Sequence, residues 1–309
     1  MPVDPSFLTR KEFLLALAAP AILPEARAAQ PPSSGKLLIV VAHPDDEYAF
    51  ASTTYRLVRE LGWTADQVVI TNGEAGYRYS SLAEAVYGTA LANERDGRSR
   101  LPAIRKEETA RAGRILGIRQ HFFLDQKDSG FASDAATAPA GNWDRARILE
   151  FIGGLLSREH YDAVFTLLPT AQTHGHHRAA AELILEAVSQ LPEAQRPAVF
   201  GAEVRARREE PLHFDGRPET PLTATVSRDP SLTFDRAASF GYHDALNYGI
   251  VANWVVAEHK SQGLFQLDSG RHDLEEFWLF SASGTQAVRR ARELSTLLSV
   301  PGHHYTAAH

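Results

Sequence analysis

The chain has 309 residues, 44% of them hydrophobic and 23% charged, with a formal net charge of −6. Gly (21) and Pro (17) are ordinary in number and cysteine is absent, which excludes collagen-like, disordered and disulfide-scaffold classes. Mild acidity leaves no electrostatic footprint for nucleic acid, and without thiolates any metal must be held by His, Asp or Glu.

Arg10 and Lys11 precede an apolar stretch at 13–23, and Ala26-Arg27-Ala28 has a small-x-small processing pattern. That order is the order of a secretory signal peptide, here 1–28, so a periplasmic or extracellular location is expected. The run from Thr9 to Leu14 is also similar to a twin-arginine export signal, with Lys11 where the second arginine would stand. The apolar stretch is about half the length that spans a bilayer, and Pro20 interrupts it, so no stable membrane anchor is expected. An amphipathic N-terminal helix is the alternative. Residues 29–35 read as a Pro/Ser/Gly linker, and 36–309 as a single catalytic domain.

The β-branched apolar run at 36–42 predicts a buried parallel strand, followed by helical spacing at 48–61 that ends at Gly62. A second strand is expected at 67–71, closed by Asn72-Gly73, then a helix at 103–116 closed by Gly117. Further strands are expected at 121–124, 163–168 and 198–204, with helices at 145–156 and 179–188 between them. Residues 77–100 and 207–235 read as irregular insertions. In the last third, 254–260 suggests a helix and the aromatic-rich 275–281 a strand. Strand alternating with helix at this spacing predicts an α/β fold: a Rossmann-like, doubly wound sandwich with a mostly parallel sheet.

Two clusters bear chemistry. His43-Pro44-Asp45-Asp46-Glu47 lies where the first strand ends, and open α/β sheets bind ligands outside the carboxyl ends of their strands. By itself it reads equally well as a capped turn. Pro169 to Arg178 places His174, His176 and His177 at a second strand-to-helix junction, with His174 and His177 sharing a face of a first helical turn. A catalytic zinc needs three N or O ligands and an open position, which His43, one aspartate of the pair and one histidine of the trio supply. Taken singly, the trio could be a solvated loop; two clusters at strand ends of one sheet favour the metal. The histidines at 121, 160, 213, 243, 259 and 272 read as structural, and those at 303, 304 and 309 receive no role. No Gly-x-Gly-x-x-Gly follows the first strand and no Gly-x-Ser-x-Gly occurs, against dinucleotide binding and serine hydrolysis.

Ala42-His43-Pro44-Asp45-Asp46-Glu47 together with His174-x-x-His177 resembles the LmbE-like, or PIG-L-like, family of zinc-dependent N-deacetylases. The resemblance extends through Thr71–Gly76, Arg105-Lys106-Glu107-Glu108, Leu116-Gly117-Ile118 and Asp128-Ser129-Gly130, and more weakly to His259-Lys260-Ser261-Gln262. It implies that His43, Asp46 and His177 bind zinc, or another divalent metal in its place. It implies Asp45 as general base and His174, charged, as stabiliser of the oxyanion. Glu74, Arg105 and Asp128 match positions that approach the sugar or support the site. Two departures stand out: His176 occupies a slot where an acid is common, and Gln172 one where some members carry tyrosine. The resemblance implies an exported hydrolase that removes acetyl from a small N-acetylglucosamine-type substrate. The alternatives are a zinc amidase acting on another N-acyl conjugate, such as a glycopeptide or thiol-sugar, and a non-catalytic carbohydrate-binding protein.

Overall fold

The computed structural model describes residues 34–130, 142–263, 272–299 and 304–305, all within one compact unit spanning Ser33–His309. The expected leader at 1–28 and the linker up to residue 33 lie outside the described residues. Among the described residues no helix is long and apolar enough to cross a membrane.

In chain order the structure runs β1 (Lys36–Val41), a 3₁₀ turn (Asp46–Phe50) leading into α1 (Ala51–Tyr55) and a π turn (Arg56–Glu60), β2 (Thr64–Thr71), a 3₁₀ turn (Glu74–Tyr79), α2 (Ala83–Tyr87), α3 (Glu94–Leu116) and β3 (Ile118–Gln126). It continues with α4 (Arg145–Glu159), β4 (Ala163–Leu167), α5 (Gly175–Ser189), β5 (Ala198–Arg205), β6 (Leu232–Asp235), β7 (Ser239–Tyr242), β8 (Leu246–Asn247), α6 (Gly249–Glu258), β9 (Leu274–Leu279) and α7 (Ala287–Ser299). The main sheet has seven strands in the order β3-β2-β1-β4-β5-β9-β6. The pairs from β3 through to β5 are parallel, whereas β9 runs antiparallel to both β5 and β6. The expected doubly wound, mostly parallel α/β sandwich is therefore the fold observed.

Period-two alternation builds both layers. Leu37, Ile39 and Val41 face one side of the sheet with Leu57, Leu116 and Val255, while Leu38 and Val40 face the other with Ile152, Leu155 and Val188. Each such buried aliphatic side chain contributes about 1.5–3 kcal/mol relative to exposure.

The structure differs from expectation mainly in the insertions. Half of the segment expected to be irregular at 77–100 is regular: α3 begins at Glu94, with Pro102 inside it. Asn93 caps that helix by accepting from the Asp96 N–H, and Glu94 and Asp96 lie in its first turn, where the helix dipole favours acids. Within 207–235, β6 joins the main sheet beside β9. The helix expected at 179–188 starts four residues earlier, at Gly175, which brings His176 and His177 into its first turn.

Candidate functional site

Sheet order reverses between β1 and β4, and the loops leaving these two strands carry the two clusters, so the site forms at the switch point of the sheet. In the β1 loop, the backbone N–H groups of Ala42 and His43 donate to Asp46 Oδ2 at 3.0 and 2.8 Å. That pins the carboxylate and turns Oδ1 toward His177 Nε2, 3.1 Å away, and His43 Nδ1, 3.7 Å away. His43 Nδ1 and His177 Nε2 are themselves 2.9 Å apart. Burial opposes ionisation of Asp46, but the His177 and His43 imidazoles outweigh it and hold the carboxyl well below the usual carboxylate range. Burial likewise opposes protonation of His43, and Asp46 outweighs it, so the His43 pKa is raised.

Asp45 turns the other way. Its backbone adopts φ 126°, a region that costs a non-Gly residue about 1–3 kcal/mol and persists only when its surroundings enforce it. The Asp45 N–H donates to Glu47 Oε2 at 3.2 Å, and Asp45 Oδ2 accepts from Arg105 Nη2 at 2.7 Å. Burial pushes Asp45 up to about 6, against the Arg105 guanidinium beside it. Arg105 also donates to the Pro44 and Gly73 carbonyls. Gly73 sits at φ 65°, where a Cβ would run into that guanidinium. Below them Glu47, fully buried, accepts from Gln67 Nε2 and pairs with His259 Nε2 at 2.6 Å, tying the β1 loop to the segment after α6.

In the second loop, Thr173 Oγ1 donates to the Leu168 carbonyl and shapes the turn that sets His174 as the cap of α5. His174 Nδ1 accepts the His176 backbone N–H at 3.2 Å. Burial, then the His43 and His177 imidazoles, push His174 down to about 4. His174 is therefore neutral at pH 7, with its hydrogen on Nε2. A neutral ring keeps the Nδ1 acceptor that caps α5, whereas the charged His174 that the resemblance implies would lose it. His176 is fully buried, and burial pushes its pKa down to about 3.

His43, Asp45, Asp46, Arg105, Asp128, His174 and His177 all border one cavity of about 440 Å³. Glu74 does not: its carboxylate accepts the Asp128 N–H at 3.1 Å, and Asp128 in turn accepts from Gly130 N and Ala75 N. Sequence reasoning missed Arg78, Tyr79 and Gln262, which also border the cavity. The first two fell in a supposed insertion; Gln262 had a signal in the weak match after residue 259. Another cavity of about 460 Å³, between β3 and α4, holds no imidazole among its lining residues.

The donor set fits a divalent cation. Two imidazole nitrogens and one carboxylate oxygen converge at 2.9, 3.1 and 3.7 Å. These separations bracket the edge of about 3.3 Å expected for tetrahedral ligands at 2.0–2.1 Å from zinc. His43, Asp46 and His177 form one trio that could hold a metal ion; His43, His174 and His176 form another.

Residues 38–188 match the family model described as "PIG-L: GlcNAc-PI de-N-acetylase". The chain is similar to "Probable N-acetyl-alpha-D-glucosaminyl L-malate deacetylase 2" of Bacillus cereus, 24% identical over 197 residues that cover 64% of this chain and 79% of that protein. A Bacillus anthracis protein of the same name is 28% identical over 166 residues, 53% of this chain and 64% of the relative. Among solved structures, the N,N'-diacetylchitobiose deacetylase from Pyrococcus horikoshii has 24% identity and a TM-score of 0.38, over 61% of this chain and 62% of that one. The family match takes in β1 through α5 and with them both clusters, so over those residues the chain carries a PIG-L family domain.

Proposed function

We propose that this protein is a zinc-dependent hydrolase that removes an acetyl group from an N-acetylglucosamine-type substrate, with His43, Asp46 and His177 holding the ion. The observation that carries the reading is the convergence of His43 Nδ1, Asp46 Oδ1 and His177 Nε2 at the floor of a cavity whose wall presents a second, separately held carboxylate, Asp45. The Bacillus relatives, named for deacetylation of a glucosaminyl malate, support the substrate class. When bound there, a divalent cation supplies Lewis acidity, bringing water toward deprotonation near pH 7 and polarising an acyl oxygen.

The chain's own residues supply the proton handling. Asp45, ionised above about pH 6, accepts the proton of the attacking water. Arg105 holds its Oδ2, which leaves Oδ1 to act as the base. The same carboxyl then returns the proton to the amine nitrogen, which leaves as the C–N bond breaks and acetate forms. Neutral His174 donates its Nε2–H to the developing oxyanion; one such donor is worth about 10²–10³ in kcat. Arg78, Tyr79 and Gln262 line the same cavity and are placed to meet the rest of the substrate.

Export belongs to this proposal as well: the basic, apolar and small-x-small order of residues 1–28 supports it, and fractionation of cells expressing the full chain tests it. The reaction is tested by following acid release from N-acetylglucosamine and its short oligomers with zinc-loaded, chelated and reloaded protein. Chelator-sensitive acetate release is expected. Release of a different acid from another conjugate would move the substrate to a second amide class, and no hydrolysis of any N-acylated sugar would favour a binding protein.

A further inference from the structure

His176 is absent from the cavity wall and has no part in the chemistry above, yet its ring is fully buried and both of its nitrogens have a partner. Its Nδ1 lies 2.9 Å from His43 Nε2, the nitrogen opposite the one that faces Asp46 and His177. Its Nε2 lies 3.2 Å from Ser129 Oγ. Trp143 stacks on the ring at 5.2 Å between centroids with an interplanar angle of 28°, and Trp143 is itself held by its Nε1–H bond to the Lys127 carbonyl. The nearest carboxylate oxygen, Asp128 Oδ1, is 3.5 Å from Nδ1, too far for a good hydrogen bond.

We infer that His176 is a positioning residue for His43: its neutral imidazole accepts the His43 Nε2–H and so fixes the tautomer and ring plane that present Nδ1 to the ion. This rests on the ligand assignment proposed above. The tautomers follow from geometry. A His43 that ligates through Nδ1 carries its hydrogen on Nε2, so His176 Nδ1 must be the acceptor. His176 then carries its own hydrogen on Nε2 and donates it to Ser129 Oγ. Ligating histidines usually donate their second N–H to a carboxylate, a backbone carbonyl or water, and losing that acceptor typically costs about 10–100-fold in metal affinity or activity. Here an imidazole takes that place and brings no negative charge into the site.

The test compares His176→Leu, which fills the volume without an acceptor, with His176→Asn, whose Oδ1 stands near the position of Nδ1. Zinc affinity is measured by chelator competition, and the His43 Nε2–H resonance is followed by NMR in cadmium-loaded protein. His176→Leu is expected to bind zinc about 10–100-fold more weakly, still at one ion per chain, and to lose the protected, hydrogen-bonded Nε2–H signal. His176→Asn should recover most of the affinity and the signal. Wild-type affinity in His176→Leu, or Asn behaving as Leu does while both unfold at the wild-type temperature, would overturn the inference. Complete loss of zinc from His176→Leu, with zinc retained in His177→Ala, would overturn it too and make His176 a ligand in the second trio. Failure of the wild-type protein to bind zinc would instead refute the ligand assignment itself.

Discussion

Replacing Arg105 reads out Asp45 without touching a metal ligand. The two side chains are 3% and 5% exposed and meet at 2.7 Å. The guanidinium opposes the burial that pushes Asp45 up to about 6. Two charges about 4 Å apart at an effective dielectric of about 20 attract by about 4 kcal/mol, which at about 1.36 kcal/mol per unit is about 3 pKa units. Relaxation and entry of water reduce that figure, so Arg105→Gln should raise the Asp45 pKa by about one to three units. As the proposed base Asp45 acts only when ionised, so activity should be lost as pH falls through its pKa. A raised pKa therefore moves the acid limb of kcat/KM to higher pH. A cation bound at the neighbouring ligands lowers the limb in both proteins, so the difference between them is the quantity to read. The assay is the pH profile of acetate release, with zinc content and circular dichroism checked for each protein. An acid limb at the same pH in a folded, zinc-replete Arg105→Gln would refute Asp45 as the group that titrates there.

His174→Ala should keep its zinc and lose about 10²–10³ in kcat, as expected for one oxyanion donor; an unchanged rate would give that role to another group. Since His174 sits near 4, its titration should put no basic limb on the profile around neutral pH, and such a limb disappearing in the alanine variant would show that the charged form acts. Zinc affinity should fall as pH falls, because binding at His43 must displace a proton whose pKa is raised; chelator competition at several pH values checks this. Glu47→Gln leaves His259 buried beside a neutral partner and should cost about 3–5 kcal/mol in urea unfolding of the metal-free protein. The Glu47 pKa is lowered and the His259 pKa raised, so the pair's contribution is present above 4.5 and below 6.5, the ordinary values of the two groups. It declines as pH falls through the Glu47 value or rises through the His259 value, and a stability difference that is flat with pH would contradict the pairing.

The fold and the location of the site are legible in the sequence because both rest on local signals. Continuous apolar runs mark the buried strands, and the turn residues that close two of them carry the His and Asp clusters to the switch point. Local signals fail where long-range contact decides. Glu47 and His259 pair across 212 positions, so His259 looks like one more scattered histidine in the sequence. Pro102 hides the first turns of α3, which Asn93 caps, and with them the order that brings Arg78 and Tyr79 to the cavity. Spacing places His174 and His177 on one helical face, but no spacing rule tells which nitrogen of His43 meets His177 and which meets His176. The neutral state of His174 likewise depends on its burial, on the His43 and His177 imidazoles and on a backbone N–H two residues on.

In the proposed site two adjacent aspartates have different work, Asp46 holding the ion and Asp45 handling the proton. Zinc per chain and acetate release, measured together on Asp45→Asn and Asp46→Asn, separate the two roles. Asp45→Asn is expected to retain zinc at the wild-type stoichiometry and to lose about 10²–10⁴ in rate, whereas Asp46→Asn should lose the zinc itself. Zinc lost from Asp45→Asn and retained in Asp46→Asn would show that the two assignments are exchanged.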